Sequence, residues 1–129
     1  MNKVKRVKSR KKVVYPHVQV HVNSSSNNTI LTAFCDKTKA VVAWSSPGVV
    51  GFKGARKSTP HASQTAANDL ANKMTALGVS SISIIFRGFG SGRDAAVKTL
   101  DGRNFRIKEL EDRTGIPFNG VRMPRSRRV

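Results

Sequence analysis

The apolar positions along this chain change period several times, and each change marks an element. Val18, Val20 and Val22 alternate with His17, Gln19 and His21, the period of a half-buried strand. Ser24 to Asn28 is a turn cluster, and Thr29 to Cys35 is a second β-prone run, so a hairpin is predicted. Asp36 to Lys39 turns the chain into a third strand, Ala40 to Trp44. Gly48, Gly51 and Gly54 punctuate a loop from Ser45 to Ser58. A helix then opens with Thr59 as N-cap and Pro60 in its first position. Its apolar face is Ala62, Ala66, Ala67, Leu70, Met74 and Leu77, and Gly78 ends it. Val79 to Phe86 returns to strand, Gly88 to Gly92 is a second glycine loop, and Arg93 to Leu100 is a short helix. After the Asp101-Gly102 turn, Phe105 and Ile107 mark a last strand. The order β-β-β-α-β-α-β predicts an α/β fold, a mixed sheet with helices packed on it.

The two strand–glycine loop–helix junctions carry the main chemical signal. Glycines let backbone N–H groups approach an anion, and a helix N-terminus adds partial positive charge. Lys53, Arg56 and Lys57 flank the first junction, and Arg87 and Arg93 the second. A nucleotide loop does not fit. Lys57-Ser58 follows Arg56 rather than glycine, and Gly88, Gly90 and Gly92 are spaced G-x-G-x-G. The better anion is an RNA backbone phosphate.

Charge sharpens that reading. The 129 residues carry 24 Lys and Arg against 7 Asp and Glu, a net charge of +17. Such an imbalance repels itself unless a polyanion neutralises it, and nucleic acid is the usual one. The basic N-terminal segment lacks the apolar face of a membrane-surface helix, and no apolar run reaches the ~20 residues of a membrane span. The chain divides into a basic arm (1–14), a folded body (15–111) and a basic tail (112–129). Arm and tail hold too little apolar content to order alone and are expected to fold against a partner. The arm reads as an RNA-contacting segment rather than a targeting presequence.

Other chemistries lack their residues. His17 and His21 share a strand face at roughly 13 Å, too far apart to chelate one zinc. Cys35 is a lone cysteine, so no internal disulfide forms. A metal-dependent nuclease needs clustered carboxylates, and the first strand has none. No enzyme activity, metal or cofactor is expected. Among the few aromatics, Phe34 and Phe86 read as core, while Phe52, Phe89 and Phe118 sit in loops beside cations where they can stack on bases.

Specific motifs narrow the class. Asn27-Asn28-Thr29, the run from Gly51 to Pro60, and Ala62, Gln64, Ala66 and Ala67 occur in order. They are followed by Arg87-Gly88, Gly90 and Gly92-Arg93, then by Pro117, Asn119-Gly120, Arg122, Pro124 and Arg127-Arg128-Val129. In these the chain resembles the small-subunit ribosomal protein eleven family over about residues 16–129. The resemblance implies a ribonuclease-H-like, three-layer α/β fold with a five-stranded mixed sheet and two helices. It implies a structural constituent of the small ribosomal subunit, bound to rRNA on the platform near the mRNA exit path. Small-subunit proteins six, seven, eighteen and twenty-one are the implied neighbours. The residues expected to contact rRNA are Asn27, Asn28, Lys53, Arg56, Lys57, Ser58, Arg87, Gly88, Gly90, Gly92, Arg93, Asn119, Arg122, Arg125, Arg127 and Arg128. Gly90→Val is expected to harm RNA binding more than folding.

The chain departs from the family pattern at Arg87 and Phe89, where Lys and Pro are usual. It departs again at Gly115, Phe118, Val121 and Met123, where the usual residues are Pro, His, Cys and Pro. This drift favours a mitochondrial copy, with a bacterial cytoplasm or a plastid as the other settings.

Overall fold

A computed structural model describes residues 14–128. The expected basic arm at 1–14 therefore lies, except for Val14, outside the described residues, as does Val129. Three strands come first: β1 (His17–Ser24), β2 (Thr29–Cys35) and β3 (Ala40–Ser45). A single-turn 3-10 segment, Gly54–Ser58, leads into α1 (Pro60–Ala76). Then follow β4 (Ser81–Arg87), α2 (Gly92–Asp101) and β5 (Arg106–Asp112).

The five strands form one sheet in the order β3-β2-β1-β4-β5. β1, β2 and β3 pair antiparallel, while β4 runs parallel to both β1 and β5. The β1 alternation does what its period predicts. Val18, Val20 and Val22 are wholly buried and sit in register with Ile82, Ile84 and Phe86 of β4. Leu70, Met74, Ala66 and Ala67 of α1 and Ala96 and Leu100 of α2 close over that same face to make one core. The α/β class, the five-stranded mixed sheet and the two helices match the expectation. Both helices lie on one face, so the described residues supply two layers and leave the His17–Gln19–His21 face without a helix over it. Phe34 belongs to that second face and is only half-buried, not core; Phe86 is core. The cause is strand parity: Phe34 pairs with Gln19, not with a buried valine.

Helix ends follow their local chemistry. The Thr59 hydroxyl accepts from Ala62 N–H at 3.3 Å, with Pro60 in the first turn. At the other end Gly78 takes φ 77°, its N–H bonds to Thr75 O, and Val79 N–H reaches back to Met74 O. This paired closure needs a left-handed residue, which explains the glycine. It also draws Leu77 and Val79 into the cap, so β4 starts at Ser81 rather than Val79. β5 is an edge strand whose Lys108, Glu109 and Glu111 are exposed, charges that discourage edge-to-edge pairing.

Candidate nucleic-acid interface

Topology gathers one set of features at a single end of the sheet. β1, β4 and β5 are mutually parallel through β4, and all three finish there, at Ser24, Arg87 and Asp112. Both helices start at that end, because each follows a strand or loop arriving there. The β1–β2 turn with Asn27 and Asn28, both glycine loops and the root of the C-terminal tail therefore converge. Ser91 Oγ donates to Ser58 O at 2.7 Å and ties the two loops together. Ligands of open α/β sheets bind beyond the C-terminal ends of parallel strands for this geometric reason.

The second glycine loop is packed against protein. A Cβ on Gly88 would lie 1.9 Å from Ser24 O, and the residue has φ +86°. A Cβ on Gly90 would meet Ser24 Oγ at 2.1 Å and Ser25 O at 2.4 Å; on Gly92 it would meet Ser63 Oγ at 1.9 Å. These glycines let the loop lie on the β1–β2 turn. The expectation that Gly90→Val harms binding more than folding is thereby corrected, since the side chain would strike the backbone of the hairpin. The turn itself is well bonded: Ser25 N–H donates to Asn28 O at 2.8 Å and Thr29 N–H to Asn28 Oδ1 at 2.9 Å. Asn28 thus shapes the turn, and Asn27 stands exposed.

Arg93 is likewise engaged within the fold. Its guanidinium donates to Gly88 O at 3.1 Å and to Asp112 Oδ2 at 3.2 Å, and it lies over the rings of Phe86 and Phe89. Thr114 completes the knot. Its hydroxyl accepts from Gly88 N–H at 3.1 Å and donates to Asp112 Oδ1 at 2.6 Å. These Thr114 bonds, with Arg93 nearby, hold the Asp112 carboxyl below its ordinary pKa. A depressed carboxylate pKa contributes stability that is present above the unfolded-state value and lost as pH falls through the folded-state value. We therefore expect Asp112→Asn to flatten the acid limb of melting temperature against pH below the ordinary carboxylate range. An unaltered limb would assign the acid loss to other carboxylates.

The remaining cations differ. Gly51 and Gly54 of the first loop take φ of +103° and +58°, with open space where a Cβ would stand. Here glycine serves backbone conformation alone. Lys53 and Arg56 are exposed and border a shallow cleft of about 410 Å³ with Val50, Gly51 and Phe52. Lys57 is half-buried, and Ser58 Oγ donates to Ala55 O at 2.8 Å. Phe52 meets His61 edge-on at 5.8 Å between centroids, so of the three loop aromatics only Phe118 has no ring or cation partner among the described residues. Among the described residues no ion pair engages Lys53, Arg56, Lys57, Arg87, Arg122, Arg125, Arg127 or Arg128.

Ordered contacts continue past 112: Arg113 N–H donates to Phe86 O at 2.8 Å, and Thr114 is half-buried. From 115 to 128 every residue is exposed, Asn119 has φ 57°, and no hydrogen bond returns to the body. The tail also exposes Ile116, Phe118, Val121 and Met123 between its arginines. The sequence reading missed Ser24, Asp112, Arg113 and Thr114. Glycines at 88, 90 and 92 signal a close approach, but their spacing does not name the partner. Among the described residues no three His, Cys, Asp or Glu side chains gather as a metal site, and no helix is long and apolar enough to cross a membrane.

Against known proteins, residues 18–128 match the family described as ribosomal protein S11. The small ribosomal subunit protein uS11 of Thermosipho melanesiensis is 44% identical over 123 residues, covering 95% of this chain and 94% of its own length. That of Thermotoga maritima is 42% identical over 122 residues, covering 95% and 93%. Both relatives are bacterial, so the mitochondrial setting is not supported. The departures that suggested it, Phe118, Val121 and Met123, stand on an exposed tail outside the core, where packing does not restrain substitution.

Proposed function

The chain belongs to the ribosomal protein S11 family of the small ribosomal subunit, and from that premise we propose that it binds small-subunit rRNA as a structural constituent. One observation carries the reading. Lys53, Arg56, Lys57 and Arg87 lie without an ion-paired carboxylate among the described residues, where two helix N-termini and an exposed basic tail converge. Fixed cations beside oriented N–H groups favour phosphate, and each neutralised phosphate releases counterions. Asn27, Ser58, Asn119, Arg122, Arg125, Arg127 and Arg128 extend this surface. Gly88, Gly90, Gly92, Asn28 and Arg93 act behind it by holding the loop and turn in place.

On this reading the protein sits on the subunit platform near the mRNA exit path, beside small-subunit proteins six, seven, eighteen and twenty-one. It consists of an RNA-contacting arm, an α/β body and an RNA-contacting tail. Its work is to fix RNA geometry rather than to catalyse a reaction. Replacing Arg56 and Lys57 together with Ala should flatten the plot of log K against log salt for small-subunit rRNA by about 0.7 to 0.9 per lost contact. Filter binding across a salt series measures it. An unchanged slope would mean these cations face solvent in the complex.

A further inference from the structure

The face of the sheet without a helix is not featureless. Gln19 and His21 of β1, Phe34 of β2 and Val41 of β3 line a groove of about 470 Å³, with Arg87 and Arg113 at one end. Phe34 and His21 meet edge-to-face, with ring centroids 6.2 Å apart and planes at 83°. Burial, aided by Arg87 and Arg113, lowers the His21 pKa, so its imidazole is neutral at neutral pH. The lining contains two arginines and no carboxylate. Arg113 is held by Glu111 through two bonds of 3.0 Å, whereas Arg87 has no ion pair among the described residues.

Asn23 and Arg87 also line a second groove, which runs to Ser25, Asn28 and Gly88. The sheet face is thus continuous with the convergent end described above. A strand of RNA following the cations of that end would pass Arg87 before reaching Phe34.

We propose that this groove holds an unpaired nucleotide of the bound RNA, its base against Phe34 and His21 and its phosphate at Arg87. The proposal rests on the RNA-binding reading and adds a second kind of contact to it. Phosphate contacts position an RNA without reading it, whereas an aromatic on an open sheet face takes an unstacked base. Asn23, Gln19 and Thr32 provide uncharged donors and acceptors around the base edge. The groove is also too polar for a protein core: among the described residues Phe34 and Val41 are the only large apolar side chains in its lining. A duplex would not fit this site, since its bases are already stacked.

The test uses the full chain, a small-subunit rRNA transcript carrying 4-thiouridine, and a fluorescent oligoadenylate octamer. Photocrosslinks on the wild type should map to the segment from Thr29 to Cys35. Phe34→Leu should lose those crosslinks and bind the octamer roughly five- to tenfold more weakly, while Phe34→Tyr keeps both. Arg87→Gln, at an exposed side chain, should also weaken the octamer and guards against a folding artefact at Phe34. If the wild type binds rRNA but crosslinks avoid this segment and Phe34→Leu binds normally, the groove proposal fails and RNA binding stands. If the wild type binds no rRNA, both fail. Unchanged RNA affinity with lost entry into subunits would identify a protein occupant and overturn the nucleotide.

Discussion

Removing residues 117–129 is expected to leave the body folded and to abolish stable entry into the small subunit. The last residues that hold the tail's root, Arg113 and Thr114, precede the cut: they bond to Phe86 O and Gly88 N–H. Beyond them residues 115–128 are exposed, with Phe118 at 98% and Val121 at 93%. The melting temperature should therefore stay within about 3 °C of the full chain. Binding is another matter. Fixing each backbone residue costs roughly 1–2 kcal/mol, so the tail orders only against a partner. On the proposed reading, hydrogen bonds from Arg122, Arg125, Arg127 and Arg128 to phosphate, at roughly 1.5–3 kcal/mol each, would offset that cost. Burial of Phe118, Val121 and Met123 in the complex would add to them. Thermal melts and co-sedimentation with small subunits measure the two effects separately. Normal incorporation of the truncated chain would remove the tail from the assembly role.

Gly88→Ala carries the largest expected loss of stability. The added Cβ would stand 1.9 Å from Ser24 O, a backbone atom at the end of β1, and φ +86° is strained for any side chain. Overpacking costs typically 1–3 kcal/mol and the left-handed backbone adds to it, so the melting temperature should fall by roughly 10 °C. Gly54→Ala is the control. It shares the positive φ but meets open space, so its cost is about 1 kcal/mol. A Gly88→Ala protein as stable as its parent yet defective in rRNA binding would return that glycine to the phosphate site.

Much of the fold was legible because its signals are local. Val18, Val20 and Val22 report a strand face by period alone, Thr59-Pro60 reports a helix start, and Gly78 a helix end. Boundaries shifted where a long-range or capping bond intervened. Val79 was claimed by the α1 cap through Met74 O, and pairing with β4 carried the last strand to Asp112. The candidate site was legible as chemistry but not as geometry. Its basic residues, glycines and motifs could be read in order, yet their sequence neighbours do not say which cations meet a carboxylate.

Charge, strand and helix periods and the family motifs are properties of single residues and short spacings, so the sequence by itself determined the α/β class, the cationic character and the family. Which face of the sheet stays open depends on where two helices pack, a contact between segments far apart in the chain. The same distance explains Arg93 and Arg87, equal as cations in sequence. Folding brings Asp112 within 3.2 Å of the first and leaves the second without an ion pair among the described residues. The glycines divide in the same way. Gly51 and Gly54 are demanded by local backbone angles, whereas Gly90 and Gly92 are demanded by serines 24, 25 and 63, which only the tertiary structure brings against them.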